Sequence, residues 1–206
     1  MLAVLTVDQR DSRRTSDEVP ALLDRLARQD WPAPPLRPFQ RTAGDEIQAV
    51  LDDADVVVAT LAVILRTGGW SVGLGIGPVD EPLPDDARAG RGPAYVFARE
   101  AVTRAKSGPH RIGVVGADDY RAGHLETVLW LWAWILERRT ERGWEVYDAL
   151  ADGLSYADAG QRLGITQSAV TQRAQAAGLV DERRARRLAT DLLAEQLASR
   201  SAEEQR

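Results

Sequence analysis

The order of apolar and polar positions over the first 115 residues switches repeatedly between strand-like and helix-like periods. Leu2 to Val7 is an apolar run with β-branched members and reads as a buried strand ending at Asp8. A polar, arginine-rich turn follows. Ser16 before Asp17-Glu18 is then placed as a helix N-cap, with Val19, Leu22, Leu23 and Leu26 at helical spacing. Trp31 to Pro38 holds four prolines in eight residues and predicts an extended connector. Phe39 to Thr42 and Glu46 to Leu51, separated by Ala43-Gly44-Asp45, give a hairpin signal. Asp52 to Arg66 reads as a helix stopped by Gly68-Gly69. Trp70 to Gly77 puts Trp70, Val72, Leu74 and Ile76 on one face and glycine or serine on the other. Such a strand is packed very closely or lets a ligand approach its backbone. Pro78 to Arg91 is a loop, Pro93 to Lys106 a helix and Arg111 to Val115 a last strand.

A second pattern begins near Asp118. Leu125 to Leu136 carries Trp130, Trp132 and Trp134 in a segment that is apolar all round as a helix, so burial on several sides is expected. It serves either as a core helix joining two modules or as a homodimer seam. Trp144 to Ala151 predicts a short helix, and Ser155 caps another over Tyr156 to Leu163. Gly164-Ile165-Thr166 makes a tight turn, and Thr166 caps a third helix from Gln167 to Ala177 that ends at Gly178. This is helix-turn-helix spacing. From Asp181 to Arg206 the pattern is again helical.

The expected class is therefore α+β. A ferredoxin-like βαββαβ domain, its helices on one face of an antiparallel sheet, spans residues 1–117. A tryptophan-rich connecting helix spans 118–143, and an all-α helix-turn-helix domain with a C-terminal helix spans 144–206.

Composition narrows the chemistry. Without cysteine, disulfide scaffolds, zinc ribbons and thiol nucleophiles are excluded, and two histidines leave little for a histidine-rich metal site. No run suits a membrane span or a signal peptide, so a cytoplasmic protein without membrane partners is expected. The net charge of −5 supplies no global field toward nucleic acid, and Lys106 is the only lysine. Residues 141–206 hold nine arginines against eleven acidic residues. DNA contact would thus depend on local features: Thr166, Gln167, Ser168, Thr171, Gln172 and Arg173 on the third helix of the motif, where glutamine reads adenine and arginine reads guanine or phosphate. Leu154 to Arg173 resembles the helix-turn-helix of bacterial transcription regulators and sigma-factor-like modules. The competing reading of these three helices is a small protein-contact module.

In the first domain, Asp8 at a strand end and Asp45 at the hairpin tip are expected to converge, because the first and hairpin strands are neighbours. Paired carboxylates beside phosphates are a usual way to hold Mg²⁺. Arg10, Ser12 and Arg13 follow Asp8 and are placed to meet a polyphosphate.

Arg41-Thr42-Ala43-Gly44-Asp45-Glu46, Trp70 to Gly77 and Gly92 to Arg99 together resemble the class III nucleotidyl cyclase domain. The Gly-Asp-Glu step is also similar to the GGDEF signature of diguanylate cyclases, with Ala43 at its first glycine. The resemblance implies metal binding by Asp8 and Asp45 and nucleotide contacts from Arg41, Gly44, Glu46 and Arg99. Arg41 stands where the cyclases carry a base-selecting lysine. Tyr95 replaces their transition-state asparagine, while Arg99 matches their arginine and is the one candidate for a catalytic role. Over its whole length the chain resembles the SatD-like family of bacterial proteins. The implied function is a homodimeric, DNA-binding transcriptional regulator whose degenerate cyclase-like domain senses a nucleotide with Mg²⁺, a binding rather than an enzymatic role. The alternatives are an active nucleotidyl cyclase or related phosphoryl-transfer enzyme, and a non-enzymatic assembly module.

Overall fold

The computed structural model describes residues 1–199. The chain is α+β, with one mixed five-stranded sheet and eight α-helices among the described residues. It divides into two compact units, one of Met1–Trp130 with the segment from Leu188, the other Leu131–Arg187. These divisions fall inside helices, as does the expected boundary at 143/144, whereas the one at 117/118 lies between a strand and a helix.

In the first unit the order is β1 (Leu2–Gln9), α1 (Val19–Ala27), β2 (Arg37–Arg41), β3 (Glu46–Leu51), α2 (Ala54–Thr67), β4 (Trp70–Gly77), α3 (Pro93–Ala105), β5 (Ile112–Gly116) and α4 (Asp119–Glu137). The sheet runs β2-β3-β1-β4-β5. The first four strands are antiparallel to their neighbours, and β5 adds parallel to β4. All eight residues of β4 are buried.

Helices cover both faces, a correction to the one-sided arrangement expected from the sequence. Cross-strand register puts Val4, Thr6 and Asp8 on the same face as Gly75, Gly73 and Ser71 of β4. A Cβ on Gly75 would stand 2.2 Å from Ala94 O and Ala98 N, and one on Gly73 would stand 2.2 Å from Val102 N. These glycines therefore let the α3 backbone lie directly on β4, and its alanine stripe (Ala94, Ala98, Ala101, Ala105) is the matching small surface. Of the two readings of the glycine-spaced strand, close packing is the one the structure displays. On the other face Val7, Leu5, Val72 and Leu74 are buried on the side of α1 and α2.

α1 begins later than the Ser16 cap implied. Its N-cap is Glu18, with no side-chain cap of its own. Instead Gln9 Oε1 accepts from Glu18 N at 2.9 Å and Asp17 Oδ1 accepts from Val19 N at 3.1 Å. By contrast Asp53 caps α2 by accepting from Val56 N, the usual local arrangement. At the sheet's β5 edge, Glu126 of α4 accepts from Val114 N at 2.8 Å and Trp130 Nε1 donates to Ile112 O at 2.9 Å. Side chains thus satisfy backbone groups that an edge strand leaves open. The tryptophan helix is only partly enclosed: Trp132 is fully buried, while Leu131 and Trp134 are exposed.

In the second unit, α5 (Glu141–Ala151), α6 (Tyr156–Leu163) and α7 (Gln167–Ala176) surround a core of Val146, Ala149, Ala159, Val170, Ala174 and Ala177. Ile165 and Leu163 pack against it. α8 (Leu179–Ala198) starts in this unit and continues in the first. Residues 200–206, the end of the predicted C-terminal helix, lie outside the described residues.

Candidate functional site

Local capping builds the α6–α7 corner. Ser155 accepts from Asp158 N, and Thr166 accepts from Ala169 N at 3.1 Å. Gly164 lies in the left-handed region (φ 65°, ψ 33°), which a residue without Cβ enters at little cost. Ile165 N donates to Gly160 O at 2.9 Å, and a Cβ on Gly160 would meet Ile165 O at 2.8 Å, so the turn folds tightly onto α6. Thr166, Gln167, Ser168 and Gln172 are exposed; Thr171 and Arg173 are partly so. Thr171 Oγ1 donates to Gln167 O at 3.1 Å, and Arg173 lies 3.7 Å from Glu145. Of the six predicted DNA contacts, Thr166, Gln167, Ser168 and Gln172 thus face solvent, while Arg173 is turned toward α5.

The C-terminal end of β1 is the second candidate. Strand alternation sends Asp8 to the α3 face and Gln9 to the opposite face. The residue directly across from Asp8 is Glu46, not Asp45, which lies in the hairpin turn and accepts from Gln9 N through its backbone carbonyl at 3.1 Å. Thus the structure places Asp8 beside Glu46, whereas the sequence pairs it with Asp45.

Two cations, Arg99 on α3 and Lys106 directly after it, engage this pair. Lys106 Nζ donates to Asp8 Oδ2 at 2.6 Å, and Arg99 Nη2 lies 3.5 Å from Glu46 Oε1. Thr42 Oγ1 also donates to Glu46 Oε1, at 2.8 Å. Thr6 and Gln48, the next cross-strand pair inward, share a buried hydrogen bond of 3.0 Å.

Arg41 is committed to the hairpin: its Nη1 donates to Asp17 Oδ2 at 2.7 Å and its Nε to Gly44 O at 2.6 Å. The hydrogen bond from Arg41 holds the Asp17 carboxyl below its ordinary value of 3.8, against an opposing desolvation effect. Gly44, at φ 62°, makes the turn that allows this. Tyr95, at the asparagine position of the cyclase resemblance, has its hydroxyl buried, and burial raises its pKa.

On the Gln9 face a cleft of about 400 Å³ opens between the start of α1 and the loop joining α2 to β4. Arg10 and Arg25 line it with Thr15, Ser16 and Gly68-Gly69, and Leu22 and Trp70 give it an apolar floor. Its size suits a small ligand. Gln9 shapes the loop above it, its Nε2 donating to Thr15 Oγ1 at 3.1 Å and to Ser16 O at 2.6 Å. Ser12 and Arg13 belong to the same loop, but only Arg10 of the predicted phosphate-contacting set lines the cleft.

The residues present do not fit the Mg²⁺ site that the resemblance implies. Mg²⁺ takes a near-octahedral set of oxygens at 2.0–2.1 Å. Here the Asp8 carboxylate is held by an ammonium and Glu46 by Arg99 and Thr42, and it is Glu46, not the hairpin-tip Asp45, that lies across from Asp8. Among the described residues no group of three or more Asp, Glu, His or Cys side chains gathers to hold a metal. No helix among them is long and apolar enough to cross a membrane.

Sequence reasoning missed Lys106, Glu46 as the partner of Asp8, Arg25 and Gln9. One signal was present for Lys106. α3 runs back along β4, and β4 is antiparallel to β1, so the end of α3 must meet the end of β1. No protein-family model, curated protein or solved structure matches the chain.

Proposed function

We propose that the protein is a homodimeric, DNA-binding regulator. In this reading α5–α7 is a helix-turn-helix that lays α7 in the major groove, and the sheet domain binds an anionic, nucleotide-type ligand. The observation that carries the reading is the α6–α7 corner: a left-handed glycine, a threonine-capped second helix, and glutamine, serine and threonine facing solvent at its start. Helices of this kind put their N-terminal side chains at base edges, with dimers spanning two half-sites. The exposed Leu131 and Trp134 on α4 offer apolar surface for pairing two copies.

Further support comes from the sheet. The order β2-β3-β1-β4 with antiparallel neighbours is the strand order of a ferredoxin-like βαββαβ domain. The cleft beside α1 sets two guanidinium groups, suited to phosphate, against the single carboxylate of Glu18, over a Trp70 and Leu22 floor suited to a flat apolar body.

The test is selection from a random-sequence DNA library with the full chain, followed by anisotropy titrations at several salt concentrations. Enrichment of a sequence with two related half-sites is expected. Gln172→Ala should then cost about 1–3 kcal/mol of binding to that site and relax its base preference. A library that shows no enrichment above background sinks the reading.

A further inference from the structure

We propose that Lys106 is the built-in cation of the Asp8–Glu46 pair, so that this site works without a divalent metal. Asp8 and Glu46 are direct cross-strand neighbours on one face of the sheet. Two like charges in that relation repel and destabilise a sheet unless a counter-charge stands between or beside them. Their side chains are only 13% exposed each, so water screens the repulsion poorly.

Lys106 and Arg99 supply two positive charges against the two negative ones. Their geometries differ. Arg99 is 68% exposed and reaches Glu46 from the outside at 3.5 Å. Lys106 follows directly after α3, and its Nζ sits 2.6 Å from Asp8 Oδ2. An ammonium is a compact point charge with three donors, the side-chain group closest in form to a small metal ion. Any divalent ion binding Asp8 must compete with it for the same carboxylate. This lysine is the only one in the chain, in a sequence that uses arginine at its 25 other basic positions. Arginine's planar fork is larger, and its charge is spread over the whole guanidinium group.

Removing the ammonium should therefore expose a vacant cation site. The inference concerns the carboxylate pair alone and does not depend on what the cleft or α7 binds.

The experiment titrates the full-length protein with Mn²⁺, following free Mn²⁺ by electron paramagnetic resonance and stability by thermal melting. Wild type and Lys106→Arg should show no Asp8-dependent uptake. Lys106→Met should bind one Mn²⁺ per chain at least about tenfold more tightly than wild type and melt higher as Mn²⁺ is added. Adding Asp8→Asn to Lys106→Met should abolish both effects. A wild-type protein that binds Mn²⁺ through Asp8 as tightly as Lys106→Met overturns the proposal, as does a folded Lys106→Met that takes up none. If Lys106→Met is unfolded in chelator, millimolar Mn²⁺ must restore its fold. Failure to do so in both Lys106→Met and Lys106→Gln also overturns it.

Discussion

Each compact unit contains a carboxylate gripped by a basic side chain, and the two grips differ in kind. In the three-helix unit, Arg139 follows α4 and its side chain is 0% exposed, with Glu182 at 4%. Its Nη2 reaches both Glu182 and the Ala177 carbonyl, its Nε the same carbonyl, and its Cζ lies 4.4 Å from the Trp144 ring centroid and 4.9 Å from that of Tyr147. In the sheet unit, Lys106 is 49% exposed and holds Asp8 by a single hydrogen bond. Arg139 is fully enclosed by its hydrogen-bond partners and two aromatic rings, with its Nη1 buried and without an acceptor, so it is part of the packing. Lys106 has water on one side and one partner on the other, so it is exchangeable. A basic–acidic contact is thus a fixture or a replaceable occupant according to its burial and number of partners.

The first way to break that contrast is Arg139→Met, which should give the largest effect. It leaves Glu182 buried and uncompensated and frees the Ala177 carbonyl at the end of α7. A loss of about 3–5 kcal/mol is expected from urea unfolding. Pairing it with Glu182→Leu should recover a substantial part, because an apolar pair of similar volume removes the stranded charge. A single-variant cost under 1 kcal/mol would place Arg139 with Lys106 and erase the distinction.

A second test asks how far the sheet unit depends on backbone contact between α3 and β4. Gly75→Ala places a methyl 2.2 Å from both Ala94 O and Ala98 N, atoms that move only if the whole helix moves. Overpacking of this kind costs about 1–3 kcal/mol, and the rigid neighbours argue for the upper end. Unfolding curves of Gly75→Ala and of Gly69→Ala should separate the causes. The Gly69 Cβ would meet open space, so only its φ of 80° penalises it. Equal losses would mean that chain conformation, not the approach of α3, sets the glycine requirement.

What could be read ahead of the structure follows the same divide between local and distant causes. The caps at Ser155 and Thr166 and the turn at Gly164 are settled within four residues of each position, and the sequence pattern locates all of them. The strands are equally legible, because apolar alternation is a property of neighbours. The cap of α1 is not: Ser16 has the right residue type, but Gln9, nine residues before Glu18, supplies the acceptor. Which acidic residue faces Asp8 depends on hairpin register, since a shift of one position exchanges Asp45 for Glu46 and flips the face. The Lys106–Asp8 contact spans 98 residues and exists only because α3 lies on the glycine face of the sheet. Residue types named the candidates, and topology chose the partners.

The third prediction extends the contrast to a solvent-exposed pair in which both side chains meet water, and it should give the smallest effect. Arg41 and Asp17 join the hairpin to the loop before α1, with side chains 41% and 49% exposed. The hydrogen bond from Arg41 lowers the Asp17 pKa, so the folded state holds this carboxyl's proton less tightly than the unfolded chain does. The resulting stabilisation is complete above the unfolded carboxylate value. It disappears as pH falls through that value toward the lower folded one. The stability difference between wild type and Asp17→Asn should therefore be constant above about pH 5 and shrink below about pH 4. Because the pair is exposed, raising the salt concentration should shrink it as well. Urea unfolding across pH at two ionic strengths measures both. A difference that grew on acidification would mean that Asp17 is bound more tightly in its protonated form, and a salt-insensitive one would place it beside Arg139 among the fixtures.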